Sequence, residues 1–210
     1  MTRRLGVALL PSPDHTRTAI RLQRDLPGAG DPLRPVLTED GNLPHLTLFQ
    51  GWLDDALEPG PALGRIAASM SLPAAMTLTS AGIVHQPTGW IFMSVERTAL
   101  LHKLQETVTN LLEPHLDRAA FDIAQDMSRF TDAERASYAR YGYRYTGEAY
   151  TPHLTLGRTD EDTALALVRS ASTHPGIPAA WTFDRLSFYV MGEHGAHAEK
   201  LHELPLAAAG

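Results

Sequence analysis

Two histidine–threonine pairs in this sequence of 210 residues have the spacing of an acid–base site. His45 and Thr47 lie in one PHLTL segment, and His153 and Thr155 lie in an identical second segment. A histidine side chain exchanges a proton near neutral pH, because its ordinary pKa is about 6.5. Two opposed histidines can therefore take a proton from an oxygen that attacks phosphorus and give one to the oxygen that leaves.

The repeat extends beyond these five residues. Each PHLTL segment is followed by a helical pattern and then by a PAAxT segment, which begins at Pro73 in the first copy and at Pro178 in the second. A single H-x-T is explained by ordinary strand packing, but two copies with matching flanks at similar spacing are not. The sequence therefore predicts a duplicated strand–helix–strand unit, packed around a pseudo-twofold axis.

Strand alternation divides each PHLTL segment into two faces. Successive side chains of a strand point to opposite sides, so each histidine shares a face with the threonine two residues later. The leucines between and after them face the other way, which suits a core covered by helices. The threonine hydroxyls can hydrogen-bond the non-bridging oxygens of a phosphate. The pseudo-twofold is expected to bring both pairs into one cleft from opposite sides.

The remaining pattern predicts the elements that position these pairs. Alternating or continuous apolar runs predict strands, and apolar residues three and four apart predict helices. A TDAE sequence at residues 131–134 is a capping box, which predicts a helix start, whereas 117–130 has no clear pattern. The glycines of 27–32 predict a loop and do not have the arrangement of a phosphate-binding loop. Strands are predicted at 4–10, 45–53, 75–84, 89–96, 150–158 and 180–192 and within 197–206, and helices at 13–26, 61–71, 98–115, 132–140 and 161–172.

Composition limits the class of protein. A net charge of -6 argues against a protein that holds a long nucleic acid duplex, because such binding needs many cationic contacts with phosphates. The sequence has no cysteine, which excludes disulfides, thiolate metal sites and cysteine nucleophiles, and favours a reducing cytoplasm. The apolar run from Leu5 to Leu10 is too short for a signal peptide core or a membrane span. We expect a cytoplasmic monomer that binds no membrane.

The paired motifs resemble those of the 2H phosphoesterase superfamily, which includes the bacterial RNA 2′,3′-cyclic phosphodiesterases, also called 2′-5′ RNA ligases. The resemblance covers most of the chain, from RLGVALLPSPD near the start to LSFYVMGEHGAHAEKLHELPL near the end. The segment YARYGYRYTGEAYTPHLTLG is also similar to a bacterial branch of unassigned substrate, some of whose members are encoded near phosphonate-metabolism genes.

This resemblance implies a role for each motif residue. It implies that His45 and His153 are the catalytic acid–base pair and that Thr47 and Thr155 bind phosphate, with neither a metal nor another cofactor. Arg158, at the end of the second PHLTLGR, is implied as a further phosphate contact. The first motif continues as LFQGW and has no cation at the matching place, which predicts different roles for the two halves.

Four other residues are candidates for the lining of the pocket. Phe49 shares a face with His45 if strand alternation continues, and Tyr143, Tyr150 and Arg144 lie shortly before the second motif. A tyrosine there can stack on a base, but packing in the core or at the rim is the more common reason for a tyrosine at such a position. The histidines at 194, 197 and 202 have neither zinc-finger nor helical metal-binding spacing, so they predict no metal site.

Together these observations predict one domain over 1–210, made of two pseudo-symmetric lobes. The expected fold is α+β and bilobal, with two antiparallel-rich sheets, outer helices and a central cleft. The expected activity is metal-independent hydrolysis of a 2′,3′-cyclic phosphate on an RNA 3′ end or a small nucleotide. Alternatives are an RNA-end ligase, or a biosynthetic enzyme or phosphometabolite-binding protein with a non-nucleotide ligand.

Overall fold

The computed structural model describes residues 2–26, 33–122, 124–171 and 174–206. The loop predicted at 27–32 lies outside the described residues. The strands in the described part of the chain are β1 Thr2–Pro11, β2 Leu46–Asp54, β3 Met76–Gln86, β4 Trp90–Val95, β5 His153–Arg158, β6 Ala180–Met191 and β7 His197–Pro205. The α-helices there are α1 Pro13–Asp25, α2 Pro59–Ala68, α3 Ala99–Leu112, α4 Asp132–Tyr141 and α5 Glu161–Ala171.

Local sequence signals explain where several helices begin and end. The Thr98 hydroxyl accepts a hydrogen bond from the Leu101 amide and so caps the start of α3. The predicted capping box of α4 is present, because Thr131 and Glu134 each bond to the other's backbone amide. α4 ends at Gly142, whose φ of 65° is a left-handed conformation that glycine adopts without strain.

All seven strands are hydrogen-bonded into one sheet in the order β1-β2-β5-β4-β3-β6-β7, with β1 also paired to β6. Every strand pair is antiparallel. Long ladders join β2, β1, β6 and β7, and join β5, β4 and β3. Short ladders connect these groups, through Leu46 and Leu154 at one place and through residues 76–79 and 180–183 at the other. The α+β class is confirmed. The expectation of two sheets is wrong, because the two short ladders join the strands of both halves into one sheet. The division into two lobes stays a prediction.

The strand pairing follows a local two-fold relation. Leu46 pairs with Leu154, and each is the residue after the histidine of its motif. Thr77 pairs with Thr182, and each is the threonine of its PAAxT segment. Equivalent residues meet each other in antiparallel strands when a two-fold axis passes between them. The order β2-β1-β6 in one half then corresponds to β5-β4-β3 in the other.

The last leucine of each PHLTL segment lies at a β-bulge, and the two bulges are equivalent. The β1–β2 ladder shifts register between Val7 and Ala8, which leaves Leu48 unpaired, and the β4–β5 ladder shifts between Ile91 and Phe92, which leaves Leu156 unpaired. Each leucine stands three residues after its histidine. A bulge inserts an extra residue and reverses the alternation of the side chains that follow it. The histidine and threonine therefore share a face, but residues after the bulge do not follow the simple pattern.

The apolar halves of the two motifs lie in the core. Leu46, Leu48, Leu154 and Leu156 are buried, as the alternation predicts, together with the inward stripe of α3 at Leu101, Leu104, Val108 and Leu112. These contacts fix the face of β2 and β5 that carries the histidines. Within the described residues, no helix combines the length and the apolar character that crossing a membrane needs.

Candidate active site

His45 and His153 are held by the same backbone device. The Nδ1 atom of His45 lies 2.8 Å from the Leu43 carbonyl oxygen, and the Nδ1 atom of His153 lies 2.7 Å from the Thr151 carbonyl oxygen. A carbonyl oxygen only accepts hydrogen bonds, so Nδ1 must carry the hydrogen in both rings. The neutral rings therefore have an unprotonated Nε2 atom, which is available as a base.

Both motif pairs line one cavity of about 730 Å³. His45 immediately precedes β2 and Thr47 lies on it, whereas His153 and Thr155 lie on β5. Because Leu46 pairs with Leu154 in antiparallel strands, the register brings His45 toward Thr155 and Thr47 toward His153. The arrangement can offer two proton-transfer groups and two hydroxyl donors to one small anion.

The two histidines have different neighbours. His153 stacks face to face on Phe92, with ring centroids 3.7 Å apart, and meets the edge of Tyr145 at 5.4 Å. The Nε2 atom of His45 instead lies 3.4 Å from the Tyr189 hydroxyl, and its ring meets the edge of His197 at 5.7 Å. One histidine thus rests on an apolar ring and the other on polar side chains.

Burial favours the neutral form of both rings. It lowers the pKa of His153 to about 4, opposed by the hydrogen bond to the Thr151 carbonyl. It also lowers the pKa of His45, opposed by the Leu43 and Gly195 carbonyls. Each histidine is only 8% exposed, which agrees with a strong effect of lost hydration. Both imidazoles are therefore neutral near pH 7.

A family model described as the 2'-5' RNA ligase superfamily matches residues 40–195, which include both motifs. The chain belongs to this superfamily. The resemblance to the 2H phosphoesterases that the motifs predict is confirmed. No curated protein sequence matches the chain significantly.

Solved structures show the same fold at low sequence identity. E. coli LigT complexed with ATP is 16% identical over 99% of both chains, with a TM-score of 0.57. E. coli LigT complexed with 3'-AMP is 18% identical over 99% of both chains, with a TM-score of 0.53. A structure titled phosphoesterase is 18% identical, covers 98% of this chain and 99% of its own, and has a TM-score of 0.57. The α+β architecture of this superfamily member is therefore shared along its whole length.

Two of the four candidate lining residues lie at the cavity and two do not. Tyr143 and Arg144 line it. Phe49 is fully buried and packs its ring against the edges of Tyr141 and Tyr143, because the bulge at Leu48 turns it away from the histidine face. Tyr150 is also buried, and its hydroxyl donates to the Thr47 carbonyl oxygen at 3.3 Å. Tyr150 therefore stabilises the backbone of the first motif and does not line the cavity.

Arg158 does not line the cavity either. Its Nε atom donates to the Thr88 carbonyl oxygen at 2.8 Å, and its guanidinium carbon lies 5.6 Å from the centre of the Trp90 ring. The β3–β4 turn thus holds Arg158, and Trp90 faces the cavity in its place. The expectation that Arg158 contacts a phosphate in this cavity is not supported by its placement.

Sequence patterns missed much of the cavity wall. Trp90 and Phe92 on β4 line it, but no local signal shows that β4 pairs with β5. Gln50 lines it because the bulge reverses the alternation after Leu48. The segment between α3 and β5, which had no clear pattern at 117–130, supplies most of one side with Ala120, Asp122, Gln125, Asp126, Arg129, Phe130, Tyr138, Gly142, Tyr143, Arg144 and Tyr145.

Among the described residues, no group of three or more histidine, aspartate or glutamate side chains is arranged to hold a metal ion. The three histidines of the β6–β7 connection and β7 are in different environments. His194 lines the cavity beside Trp90, and His197 is fully buried with its Nε2 atom 2.8 Å from the Ser187 hydroxyl. His202 faces Gly60 of α2.

Proposed function

We propose that this protein hydrolyses a 2′,3′-cyclic phosphate, on an RNA 3′ end or a small nucleotide, to a monoester. The observation that supports this most directly is the pair of histidines on equivalent strands. Both present an unprotonated Nε2 atom, and both line one cavity together with the two motif threonines. In-line displacement at phosphorus needs a base and an acid on opposite sides, and in this proposal the two histidines take these two roles.

In the proposed reaction, one Nε2 atom takes a proton from water as the water oxygen bonds to phosphorus. The bond from phosphorus to one ribose oxygen breaks, and the other histidine gives that oxygen a proton. Thr47 and Thr155 donate hydrogen bonds to the non-bridging oxygens.

The protonation states imply that the site takes up one proton from solvent when the substrate binds. Both histidines are neutral near pH 7 before substrate binds, yet the leaving oxygen needs an imidazolium donor. A bound phosphate anion favours the charged form of a neighbouring histidine and so raises its pKa. Substrate binding is therefore expected to be accompanied by uptake of about one proton.

The cavity wall suits a nucleotide. Its volume of about 730 Å³ lies in the range of small-molecule sites. Trp90, Phe130 and Tyr145 offer aromatic surfaces on which a base can stack. Arg144 adds a cation, and its guanidinium lies 4.5 Å from the Phe130 ring and 4.9 Å from the Tyr145 ring. LigT has been crystallised with 3'-AMP and with ATP, which is consistent with a nucleotide ligand for this superfamily member.

The decisive experiment measures turnover of the four nucleoside 2′,3′-cyclic phosphates and of an RNA with a 2′,3′-cyclic end, followed by phosphorus NMR. We expect a monoester product, and we expect His45→Ala and His153→Ala each to lower kcat/KM by about 10²-fold or more. His102→Ala on α3 is the matched control, because His102 lies outside the cavity lining, and it should keep wild-type turnover.

The same experiment separates the alternatives. A second RNA with a 5′-hydroxyl end is included, and joined RNA as the main product would identify a ligase instead. No product from any of these compounds would contradict the nucleotide assignment. Wild-type turnover in either His45→Ala or His153→Ala would contradict the paired-histidine mechanism.

A further inference from the structure

Tyr189 is a buried polar residue that the mechanism above does not use. Its side chain on β6 is fully buried, and its hydroxyl lies 3.4 Å from the Nε2 atom of His45. The Gln50 amide nitrogen donates to the same hydroxyl oxygen at 2.7 Å and also to the Gly195 carbonyl oxygen at 3.1 Å. The Tyr189 hydroxyl therefore links a fixed amide donor to the reactive nitrogen of His45.

The backbone leaves a space for this ring. Gly6 on β1 pairs with Tyr189 on β6, and a Cβ atom at Gly6 would lie 2.5 Å from the Tyr189 Cζ atom. On its other side the ring stacks on His197, with centroids 4.3 Å apart and planes 13° apart. The Tyr189 ring is thus confined between Gly6, which has no side chain, and the buried imidazole of His197, so the Tyr189 hydroxyl has a defined position.

The direction of the hydrogen bonds follows from the donors. The Nδ1 atom of His45 carries a hydrogen because it faces the Leu43 carbonyl, so Nε2 of the neutral ring can only accept. The Tyr189 oxygen already accepts from Gln50, and the Thr47 hydroxyl is its other side-chain neighbour, so a donor bond from Thr47 leaves the Tyr189 hydrogen to point at Nε2. A donor to Nε2 stabilises neutral His45 and opposes its protonation.

We propose that Tyr189 is a positioning residue whose hydroxyl, oriented by Gln50, holds His45 as a neutral hydrogen-bond acceptor until a substrate competes for Nε2. The inference rests on the proposed function for its catalytic meaning, because the controlled atom is the proposed proton-transfer atom of His45. His153 has no such partner on its Nε2 atom among the described residues, and it rests on Phe92 instead. The hydroxyl therefore makes two equivalent histidines chemically different.

The other groups that face His45 do not replace this effect. They are His197 from β7, His153 across the cavity, and the carbonyls of Leu43 and Gly195. Burial lowers the pKa of His197 to about 3, so it stays neutral at working pH and adds no charge. In the described part of the chain, His45 has no ion pair with an acidic side chain. Tyr189 is then the side chain that donates to its reactive nitrogen.

The test is an NMR titration of His45 and His153 in Tyr189→Phe, in Tyr150→Phe and in the wild type, without substrate. We expect Tyr189→Phe to raise the pKa of His45 by roughly half a unit to one unit, since one neutral hydrogen bond is lost, and to leave His153 unchanged. Tyr150→Phe is the matched control: it removes another buried tyrosine hydroxyl, which bonds the Thr47 carbonyl oxygen rather than a histidine.

Two further readouts make the result decisive. In the wild type, nitrogen-15 shifts should show the hydrogen of neutral His45 on Nδ1, and Nε2–H instead would overturn the proposal even if Tyr189→Phe failed to fold. In the pH profile of kcat/KM, the limb that reports His45 should move to higher pH in Tyr189→Phe alone. An unchanged pKa of His45, or an equal change in Tyr150→Phe, would overturn it as well. Absence of turnover in the wild type with an intact pKa difference would instead contradict the proposed function.

Discussion

At the scale of residues, His45 and His153 have equivalent backbone hydrogen bonds but different neighbouring side chains. Both histidines donate from Nδ1 to the carbonyl two residues earlier, so the duplicated sequence repeats the hydrogen bond as well as the motif. The neighbours are not repeated, because Phe92 and Tyr145 contact one ring whereas Tyr189 and His197 contact the other. A pair with different neighbours can hold protons unequally, which acid–base chemistry with two roles requires.

We predict that the folded protein loses stability between pH 7 and pH 5.5. The pKa values of His153 and His197 are about 4 and about 3 when folded, below the ordinary 6.5, and that of His45 is also lowered. Below pH 6.5 the unfolded chain takes up protons that the folded chain excludes, so the stabilisation present above that pH is lost as the pH falls. The free energy of unfolding should fall by about 1 kcal/mol each for His153 and His197, and His45 acts in the same direction; urea denaturation measures the sum.

Substitution of a buried histidine tests the source of this slope. His153→Gln should show a shallower fall between pH 7 and pH 5.5, by about one proton's contribution. The carboxylates titrate mainly below this interval, so they contribute little to it. An equal free energy of unfolding at both pH values would contradict the assignment of neutral, buried histidines.

At the scale of elements, the capping box at the start of α4 is linked to Arg144 in the cavity wall. The Glu134 carboxylate accepts from the Thr131 amide with one oxygen and from Arg144 Nε, at 2.8 Å, with the other. Burial alone would raise the pKa of Glu134, but hydrogen bonds from Arg144 and Thr131 lower it, so it remains a carboxylate. The start of α4 therefore fixes Arg144, which stacks on two aromatic rings of the cavity wall.

We predict that Thr131→Ala raises KM for the cyclic phosphate several-fold and lowers stability by about 1 kcal/mol, the usual loss for a helix cap. The reason is that the Glu134 amide loses the Thr131 hydroxyl that accepts its hydrogen bond, so the first turn of α4 holds the Glu134 carboxylate, and with it Arg144, less firmly. Steady-state kinetics and urea denaturation measure the two effects.

Thr98→Ala is the matched control for this prediction. Thr98 caps α3 with the same kind of hydrogen bond, but it lies outside the cavity lining. It should lower stability by a similar amount and leave KM unchanged. Equal KM values for both variants and the wild type would show that the α4 cap does not support the binding site.

The sequence predicted the elements well because their signals are local. Turn residues, the capping box and the periodicity of α3 all act within a few residues, and each predicted strand and helix is present. The bulge at Leu48 arises from pairing between β1 and β2, so it reversed the expected side of Phe49. Arg158 was misplaced for a similar reason, since the β3–β4 turn that holds it is distant in sequence.

At the scale of the whole molecule, the pseudo-twofold explains both the site and its position. The axis passes between Leu46 and Leu154 and between Thr77 and Thr182, and so the two motifs meet on either side of it. The spacing of the PHLTL and PAAxT segments predicted this relation. The side chains that make the halves different, such as Tyr189 and Phe92, come from strands whose neighbours the repeat does not reveal.

The interlocked strand order also predicts cooperative unfolding. β6 pairs with β1, β3 and β7, so strands that are far apart in the sequence are hydrogen-bonded to the same strand. Neither half has a complete set of strands without the other. Unfolding one half would therefore expose strand edges and core of the second, and partly folded forms should not accumulate.

We predict that three single-tryptophan variants each unfold with urea in a single transition. Trp52 lies on β2, Trp90 on β4 and Trp181 on β6, so each probes a different region when the other two are replaced by phenylalanine. Within each variant, fluorescence and circular dichroism should give coincident transitions. The midpoints of different variants are compared after correction for the cost of the substitutions.

Leu46→Ala should lower stability by about 2–5 kcal/mol, because its side chain is fully buried at the contact between β2 and β5. If the halves are independent, that substitution would shift only the transition that Trp52 reports; a common shift in all three variants is the expected result.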